Sequence, residues 1–263
     1  MFLLHDDQWT KFASFRLTDC EDPYIFELIN HMKNLADMNW NSIYESLDAK
    51  GYALIPGILS PSECDRLRLF YDDVNLFRST INMQRYRFGR GEYKYFSYPL
   101  PPVIQFLREA FYTPLARMAN RWMEQLATDT KFPENHDQMI QVCHAMNQRR
   151  PTPLILRYET GGFNTLHQDL YGEVYFPFQI LFALSQHGRD HEGGEFVLTE
   201  QMPRAQSRAE VIRPNQGDAV IFTTNFRPVK GTRGYYRARV KHGVSEIKSG
   251  FRYVLGVIFH DAN

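Results

Sequence analysis

The sequence predicts an α+β fold, with a jelly-roll core of short strands and N-terminal helices packed against it. Eight short apolar runs follow one another from Leu154 onward, and turn signals rich in glycine separate them. Strands at this rhythm are typical of a double-sheet jelly roll. The aromatic content of 14% also favours sheet-rich packing over a helical bundle.

The eight runs share a length of about five to ten residues and a high content of β-branched and aromatic side chains. They read LILRY, FNTLHQD, FPFQILFALS, GEFVLTE, AEVIRP, DAVIFTT, YYRARVKHGV and RYVLGVIFH. We expect each run to form one strand of the core.

The preceding part of the chain predicts a strand and two helices. GYALIPGIL is a short apolar strand, and the next segment starts a helix with Ser60 as N-cap, Pro61 at the first position and Glu63 three residues after the cap. A second helix is expected from about residue 102 to 126. Its core-facing residues recur at a spacing of three or four: Ile104, Leu107, Phe111, Leu115, Met118 and Trp122.

These elements predict a helical arm at residues 1–45 and a single domain at residues 46–263. Within that domain, residues 46–153 supply the strand and supporting helices, and residues 154–263 form the jelly-roll core. A chain of 263 residues is long for one domain, but barrels of about 200–250 residues commonly fold as one unit.

Charge and cysteine usage narrow the class of protein. Lys plus Arg and Asp plus Glu both number 30, so the strong basic excess of a non-specific nucleic-acid coat is missing. The cysteines Cys20, Cys64 and Cys143 form no CxxC pair, which argues against a disulfide framework or a zinc–thiolate site. A cytoplasmic location is expected, and no apolar stretch is long enough for a membrane span.

Two residues that could bind a metal stand at alternate positions of one predicted strand. In FNTLHQD, His167 and Asp169 flank Gln168, so both side chains project from the same face. A triad of two histidines and one carboxylate needs such a pair, another histidine from elsewhere and open coordination positions. Because HxD pairs are common among surface residues, the prediction depends on the third histidine.

The third histidine is expected to come from a later strand. His187 and His191 fall in the polar segment GRDHEGG and are interpreted as solvated. His242 lies in the strand pattern RVKHGV, and Arg252 follows ten positions later. The pattern therefore favours His242 as the third ligand.

Arg252 occupies the inward face of an apolar strand, together with Val254, Gly256 and Ile258. A buried guanidinium is costly without an anionic partner, and a carboxylate ligand would provide a bidentate one. The alternative is an arginine at the mouth of the strand that reaches solvent.

Taken together, these motifs resemble the iron(II)/2-oxoglutarate oxygenase superfamily, with the spacing of its prolyl-4-hydroxylase-like branch. The motifs are Tyr158-Glu159-Thr160-Gly161, His167-Gln168-Asp169, Gly193-Gly194-Glu195-Phe196, Gly217-Asp218-Ala219-Val220-Ile221-Phe222, His242 and Arg252. GRGEYKYF, LHQDLYGE, GGEFVLTEQ, RPVKGTRGYYR and the FHD ending are similar to a little-characterised, mostly bacterial family. That family is provisionally linked to oxidation of damaged nucleic acid.

The resemblance implies a double-stranded β-helix and a dioxygenase that uses iron(II), 2-oxoglutarate and O2. It implies that His167, Asp169 and His242 are the catalytic metal ligands. Arg252 and Tyr158 would bind the far carboxylate of 2-oxoglutarate, and Gln179 would hydrogen-bond near the metal. Asp169 stands where related halogenases lack a carboxylate, so hydroxylation or oxidative demethylation is expected.

The substrate is left open by the sequence. Two segments, 85–95 and 227–242, combine basic residues with aromatic ones, which suits an anionic or stacked substrate; a solvated surface strand explains the second equally well. The favoured substrate is a small molecule or a peptidyl side chain. The alternatives are nucleic acid, which the short spacing from His242 to Arg252 disfavours, and a metal-binding sensor barrel without turnover.

Overall fold

A computed structural model describes residues 38–263 of the chain. Residues 39–263 form one compact unit, which includes the helix Trp40–Lys50. The part of the expected helical arm at residues 1–37 lies outside the described residues. Within residues 38–263, no helix combines the length and the apolar composition that crossing a membrane requires.

Four α-helices support the core within the described residues. They are α1 (Trp40–Lys50), α2 (Pro61–Leu69), α3 (Pro102–Gln125) and α4 (His136–Ala145). The predicted start of α2 is confirmed, because the Ser60 side chain accepts from the Glu63 backbone and the Glu63 side chain accepts from the Ser60 backbone. The six apolar positions predicted for α3 are all buried, so its apolar face packs on the core as expected.

Fourteen strands are present in the described residues. They are β1 (Tyr52–Ile55), β2 (Phe77–Asn82), β3 (Gly89–Arg90), β4 (Glu92–Phe96), β5 (Leu154–Glu159), β6 (Phe163–His167), β7 (Phe178–Ala183), β8 (His191–Gly193), β9 (Phe196–Gln201), β10 (Ser207–Ile212), β11 (Ala219–Thr223), β12 (Phe226–Gly231), β13 (Gly234–Val244) and β14 (Ile247–Ile258).

The strands form two antiparallel sheets. The first sheet has the order β1-β11-β7-β14-β5-β4-β2, with β8 on β14, and the second has the order β10-β9-β13-β6-β3, with β12 on β13. Buried residues of both sheets, such as Leu181, Leu198, Val220 and Val240, pack into one cluster. The predicted jelly-roll core is therefore confirmed.

All eight predicted core strands are present, as β5, β6, β7, β9, β10, β11, β13 and β14. The sequence did not reveal the shorter strands β2, β3, β4, β8 and β12. Among these, β4 pairs with β5 and extends the first sheet, while β3 pairs with β6 and extends the second. The segment 77–96 therefore widens both sheets beside the cavity described below.

Candidate metal centre and co-substrate cavity

A cavity of about 250 Å³ lies between the inner faces of the two sheets. Leu156, Leu181 and Val254 from the first sheet and Phe196 from the second give it apolar walls. The six candidate residues named from the sequence all line it: His167, Asp169, His242, Arg252, Tyr158 and Gln179. Strands far apart in sequence thus bring these side chains to one place.

His167, Asp169 and His242 form a compact cluster in this cavity. One ligand atom from each residue lies within 4.8 Å of the others. His167 Nε2 is 3.4 Å from Asp169 Oδ1, and His242 Nε2 is 3.3 Å from Asp169 Oδ2. Within the described residues, this is the one group of three or more such side chains close enough to hold a metal ion.

Two hydrogen-bonding details bear on how the imidazoles could serve as ligands. His167 Nδ1 lies 2.8 Å from the Thr165 carbonyl oxygen, so Nδ1 carries the donated hydrogen, and Nε2 is the nitrogen that would bind a metal once it has lost its own hydrogen. His242 Nδ1 is buried and has no hydrogen-bond partner within residues 38–263. The rings of Phe222 and Phe196 lie 4.8 and 5.9 Å from the His242 ring and restrict its position.

The charges of the cluster suit a cation. Burial disfavours the carboxylate of Asp169, but hydrogen bonds from His167 and His242 outweigh it and hold the Asp169 pKa well below its usual value. Burial, followed by the positive charge of His167, lowers the pKa of His242. Burial also opposes protonation of His167, although its contacts with Asp169 raise its pKa overall. The cluster thus offers one carboxylate and two imidazoles.

Arg252 occupies another part of the same cavity. It lies directly opposite Tyr158 in the β5–β14 pair, and its guanidinium carbon is 5.8 Å from the Tyr158 ring centroid. Only 5% of Arg252 is exposed, and its guanidinium has no ion-pair partner within residues 38–263. Its burial lowers its pKa. A buried, unpaired guanidinium beside a cavity is a site for an anion.

Tyr158 adds a hydrogen-bond donor at this end of the cavity. Its hydroxyl is buried and, within the described residues, meets no partner with good hydrogen-bond geometry. Burial raises the Tyr158 pKa to about 12, against the opposing charge of Arg252. The hydroxyl therefore stays protonated at neutral pH and can donate to an oxygen of a bound ligand.

Gly194, in the Gly-Gly turn, makes room for Arg252. Its φ of +72° is a conformation that glycine adopts readily, and a Cβ there would collide with Ile247 Cδ1 and lie 2.9 Å from Arg252 Cδ. Both the positive φ and the lack of space for a Cβ therefore favour glycine at this position of the turn.

Gln179 lies toward the other end of the cavity. It pairs with Phe222 on β11 and with Ile258 on β14, whereas Arg252 is six positions earlier on β14. That spacing corresponds to about 20 Å along the strand. Gln179 Nε2 is buried without a partner in the described part of the chain, so it is a free donor near Phe222 and the His242 ring.

The interpretation of His191 as a solvated loop residue was wrong. His191 is buried at the start of β8, and its Nδ1 lies 3.0 Å from the Gly193 carbonyl oxygen. The short strand β8 pairs with the first part of β14, which covers the residue. His187 is partly exposed and lies near Glu192. Neither lines the metal cavity.

The two basic segments occupy different positions relative to the cavity. On β13, exposed Arg237, Arg239 and Lys241 alternate with buried residues and lie on the face opposite His242. Arg227 forms an ion pair with Glu200. The basic side chains of the segment 227–242 thus do not line the cavity, whereas His242 at its end does.

The segment 85–90 lies beside the cavity. Phe88 lines it, the Phe88 carbonyl accepts from the Thr165 backbone, and Gly89 pairs with Asn164 on β6. The rings of Tyr86 and Phe88 are stacked, with centroids 5.5 Å apart and an interplanar angle of 19°.

Sequence reasoning missed Tyr171, and it assigned Tyr93 and Tyr95 of the segment 85–95 to the substrate without placing them beside the cluster. The Tyr171 hydroxyl donates to Asp169 Oδ1 at 2.8 Å, and Tyr93 and Tyr95 on β4 lie nearby with their rings 5.3 Å apart. The alternation of tyrosines in EYKYF could have indicated a strand with one aromatic face. Tyr171 lies in an irregular segment, where no periodicity indicates the direction of a side chain.

Residues 91–262 match the model of a protein family described as "Oxygenase, catalysing oxidative methylation of damaged DNA". The chain is also similar to the uncharacterized protein Rv2227 of Mycobacterium tuberculosis (strain ATCC 25618 / H37Rv). The two are 46% identical over 167 residues, which are 64% of this chain and 72% of that protein. The uncharacterized protein MT2286 of strain CDC 1551 / Oshkosh matches to the same extent.

Two solved structures illustrate the similarity in fold. An oxidoreductase of the 2OG-Fe(II) oxygenase family from Burkholderia pseudomallei has a TM-score of 0.51 and 14% identity, over 86% of this chain and 95% of that chain. A prolyl hydroxylase from Trichoplax adhaerens, in complex with a hypoxia inducible factor peptide fragment, has a TM-score of 0.51 and 14% identity. The match covers 90% of this chain and 93% of that chain. At this identity the similarity concerns the fold.

The family match confirms the prediction of an oxygenase. The predicted iron(II) and 2-oxoglutarate are named in the family of the Burkholderia enzyme, which shares the fold. The chain therefore belongs to the oxygenase family matched by residues 91–262, and it has the fold of the 2-oxoglutarate- and iron(II)-dependent oxygenases.

Proposed function

We propose that the chain is an iron(II)- and 2-oxoglutarate-dependent dioxygenase in which His167, Asp169 and His242 hold the iron. The observation that supports this most is the cluster of two imidazoles and one carboxylate with ligand atoms within 4.8 Å of one another. Two histidines and one carboxylate on one side of a metal leave positions open for a co-substrate and oxygen, as non-haem iron(II) oxygenases require. The donor set therefore fits iron(II).

Arg252 and Tyr158 are proposed to bind the far carboxylate of 2-oxoglutarate. Arg252 is buried and has no ion pair within residues 38–263, and the Tyr158 hydroxyl opposite it lacks a well-aligned partner. A carboxylate would accept a forked pair of hydrogen bonds from the guanidinium and one from the hydroxyl. These partners would offset the cost of burying both groups.

Gln179 is proposed to donate to a ligand oxygen beside the metal. Its Nε2 is buried and unpartnered in the described residues, and its strand partner Phe222 contacts the His242 ring. This places the Gln179 amide beside the metal ligands, toward the opposite end of the cavity from Arg252.

The chain's own residues would orient the reactants and keep the site dry. When bound, iron(II) supplies the coupled use of O2 and 2-oxoglutarate, which gives succinate, carbon dioxide and an oxidised substrate C–H bond. Arg252 would fix the direction of 2-oxoglutarate, and Asp169 would supply the anionic ligand. Leu156, Phe196 and Val254 would exclude water from the reacting end.

The substrate class that the cavity mouth favours is single-stranded nucleic acid, in line with the description of the matched family. Tyr86 and Phe88 are 55% and 46% exposed and stack on each other at the cavity. Within residues 38–263, the neighbouring Arg85, Arg87 and Arg90 form no ion pair. Exposed aromatic faces with unpaired arginines suit stacked bases and phosphates. A small molecule or a peptidyl side chain is the competing substrate class.

Succinate release in air tests the proposed function. The wild-type protein with iron(II), ascorbate and 2-oxoglutarate should release succinate, and Asp169→Ala should abolish that release while leaving the circular dichroism spectrum intact. Asp129→Ala removes an exposed carboxylate outside the cavity and should change nothing. Equal release by Asp169→Ala and Asp129→Ala would contradict the proposed metal site, and the sensor without turnover predicts no release by any variant.

A further inference from the structure

One polar side chain touches the Asp169 carboxylate from outside the metal cluster. The Tyr171 hydroxyl lies 2.8 Å from Asp169 Oδ1. An ionised carboxylate only accepts hydrogen bonds, so Tyr171 is the donor. Asp169 Oδ2, the other oxygen, lies 3.3 Å from His242 Nε2.

The backbone that carries Tyr171 is fixed by a buried glutamine. Gln148 is fully buried after α4, and its Nε2 lies 3.1 Å from the Tyr171 carbonyl oxygen and 2.8 Å from the Val174 carbonyl oxygen. Gln148 Oε1 accepts from the Val174 backbone N–H at 2.8 Å. One side chain thus joins both ends of the short segment between Tyr171 and Val174.

Gly172 allows this close approach. Its φ is +85°, and a Cβ at this position would lie 2.5 Å from the carboxamide carbon of Gln148. Any larger residue would push the segment away from Gln148 or force the glutamine to move. The position of the Tyr171 hydroxyl therefore depends on contacts that reach beyond the cavity.

We propose that Tyr171 is a positioning residue for Asp169, and that Gln148 fixes the segment that carries it. This inference rests on the proposed metal site. By donating to Oδ1, the Tyr171 hydroxyl would fix the orientation of the carboxylate and weaken Oδ1 as a metal ligand, which disfavours coordination through both oxygens. A carboxylate that takes one position of the metal preserves the open positions that the co-substrate and oxygen need.

Cobalt(II) binding by the metal-free protein tests this inference without turnover. Tyr171→Phe removes only the hydroxyl, and partners of this kind typically contribute 10- to 100-fold to metal affinity. We expect the variant to bind cobalt(II) roughly 10- to 100-fold more weakly and to change the visible absorption spectrum of the bound ion, because the coordination of Asp169 changes.

Tyr112→Phe is the matched control. Tyr112 is fully buried, and its hydroxyl donates to the Pro133 carbonyl oxygen at 3.0 Å, outside the cavity. Its loss should lower the thermal unfolding temperature by an amount comparable with Tyr171→Phe, but leave cobalt(II) affinity and spectrum unchanged. The inference is wrong if Tyr171→Phe binds cobalt(II) with the affinity and spectrum of Tyr112→Phe.

Two further variants separate this inference from the proposed function. His167→Ala should lose cobalt(II) binding altogether, and binding at wild-type affinity would contradict the metal site and the role of Tyr171 with it. Gly172→Ala should weaken cobalt(II) binding in the same direction as Tyr171→Phe while every proposed ligand is kept. If a folded Gly172→Ala protein binds cobalt(II) with wild-type affinity and spectrum, the proposed role of Gln148 in fixing the segment that carries Tyr171 is wrong.

Discussion

His167 and His242 lie directly opposite each other in the β6–β13 pair, with ring centroids 4.2 Å apart. Residues opposite one another in an antiparallel pair project to the same face of the sheet. The register of these two strands therefore brings both imidazoles into the cavity, and Asp169 follows His167 closely enough to reach them. A slip of one residue would turn one imidazole to the other face of the sheet.

The guanidinium of Arg252 is expected to provide much of the affinity for 2-oxoglutarate. Arg252→Ala would remove a forked, charge-assisted contact worth about 1.5–3 kcal/mol, so the Kd for 2-oxoglutarate should rise roughly 10- to 100-fold. Metal affinity should stay near the wild-type value. Isothermal titration of the metal-loaded protein without oxygen measures both constants.

Arg239→Ala is the control for that comparison, because Arg239 is an exposed arginine on the outward face of β13. It should bind 2-oxoglutarate as the wild-type protein does. If Arg252→Ala and Arg239→Ala have equal affinities for 2-oxoglutarate, Arg252 is not the carboxylate anchor.

Gly194 is expected to support 2-oxoglutarate binding, because it has no side chain and adopts a positive φ. Gly194→Ala would place a Cβ against Ile247 Cδ1 and 2.9 Å from Arg252 Cδ, in a backbone with φ of +72°. This should cost about 1–3 kcal/mol of folding free energy and displace the Ile247 and Arg252 side chains. Gly194→Ala should therefore both lower the free energy of unfolding and raise the Kd for 2-oxoglutarate.

Gly188→Ala is the control that separates the effect of backbone strain from the effect of a steric collision of the added Cβ. Gly188 has a similar φ of +83°, but a Cβ there meets no atom within 4 Å. The control should lose stability while keeping the wild-type Kd for 2-oxoglutarate. An unchanged Kd in Gly194→Ala would show that the turn does not shape the anion site.

His260 is expected to make the metal-free protein sensitive to mild acid. Burial lowers the pKa of His260 to about 3, so the unfolded chain binds a proton below pH 6.5 that the folded chain does not. His260 therefore leaves the free energy of unfolding unchanged above pH 6.5. Below pH 6.5 it lowers the free energy of unfolding by about 1.4 kcal/mol per pH unit, down to about pH 3. Urea unfolding at pH 7 and pH 5 measures the change.

His260→Asn provides the comparison for the pH experiment. Its carboxamide oxygen can accept from the Phe176 backbone N–H, as His260 Nδ1 does at 3.1 Å, but it has no proton to gain. The variant should therefore lose less stability between pH 7 and pH 5. The same pH dependence in both proteins would rule out His260 as its source.

Phe88 is expected to stack on a base if the substrate is nucleic acid. Phe88→Ala should weaken binding of a fluorescein-labelled single-stranded oligonucleotide roughly 5- to 100-fold, and binding by the wild-type protein should fall with rising salt. Phe251 is equally exposed, at 45%, but does not line the cavity, so Phe251→Ala should bind normally. Binding that Phe88→Ala leaves unchanged would favour a small molecule or a peptidyl side chain.

The strands of the core and the candidate ligands could be predicted from the sequence because each has a local pattern. Apolar runs bounded by glycine turns indicate strands. The expectation that His167 and Asp169 share one strand was wrong, because β6 ends at His167 and Asp169 follows in an irregular segment, although both side chains line the cavity. The pairing of His242 with His167 depends on a register between distant strands, which no local pattern determines. It was expected only from the resemblance of the motifs to a known superfamily.

The residues that sequence reasoning missed are held by contacts without periodicity. Tyr171 lies between strands, and its direction depends on Gln148, more than twenty positions earlier in the chain. His191 was misjudged because the polar segment around it contains a strand of three residues, which is too short for an alternation to be recognised. In both cases, tertiary contacts determine the position of the side chain.

An anaerobic titration with iron(II) and 2-oxoglutarate tests the central claim most directly. The wild-type protein should develop a visible charge-transfer absorption band that saturates at one equivalent of each, because the co-substrate chelates a metal held by His167, Asp169 and His242. His242→Ala should give no band. A wild-type protein without the band, or an equal band in His242→Ala, would contradict the account.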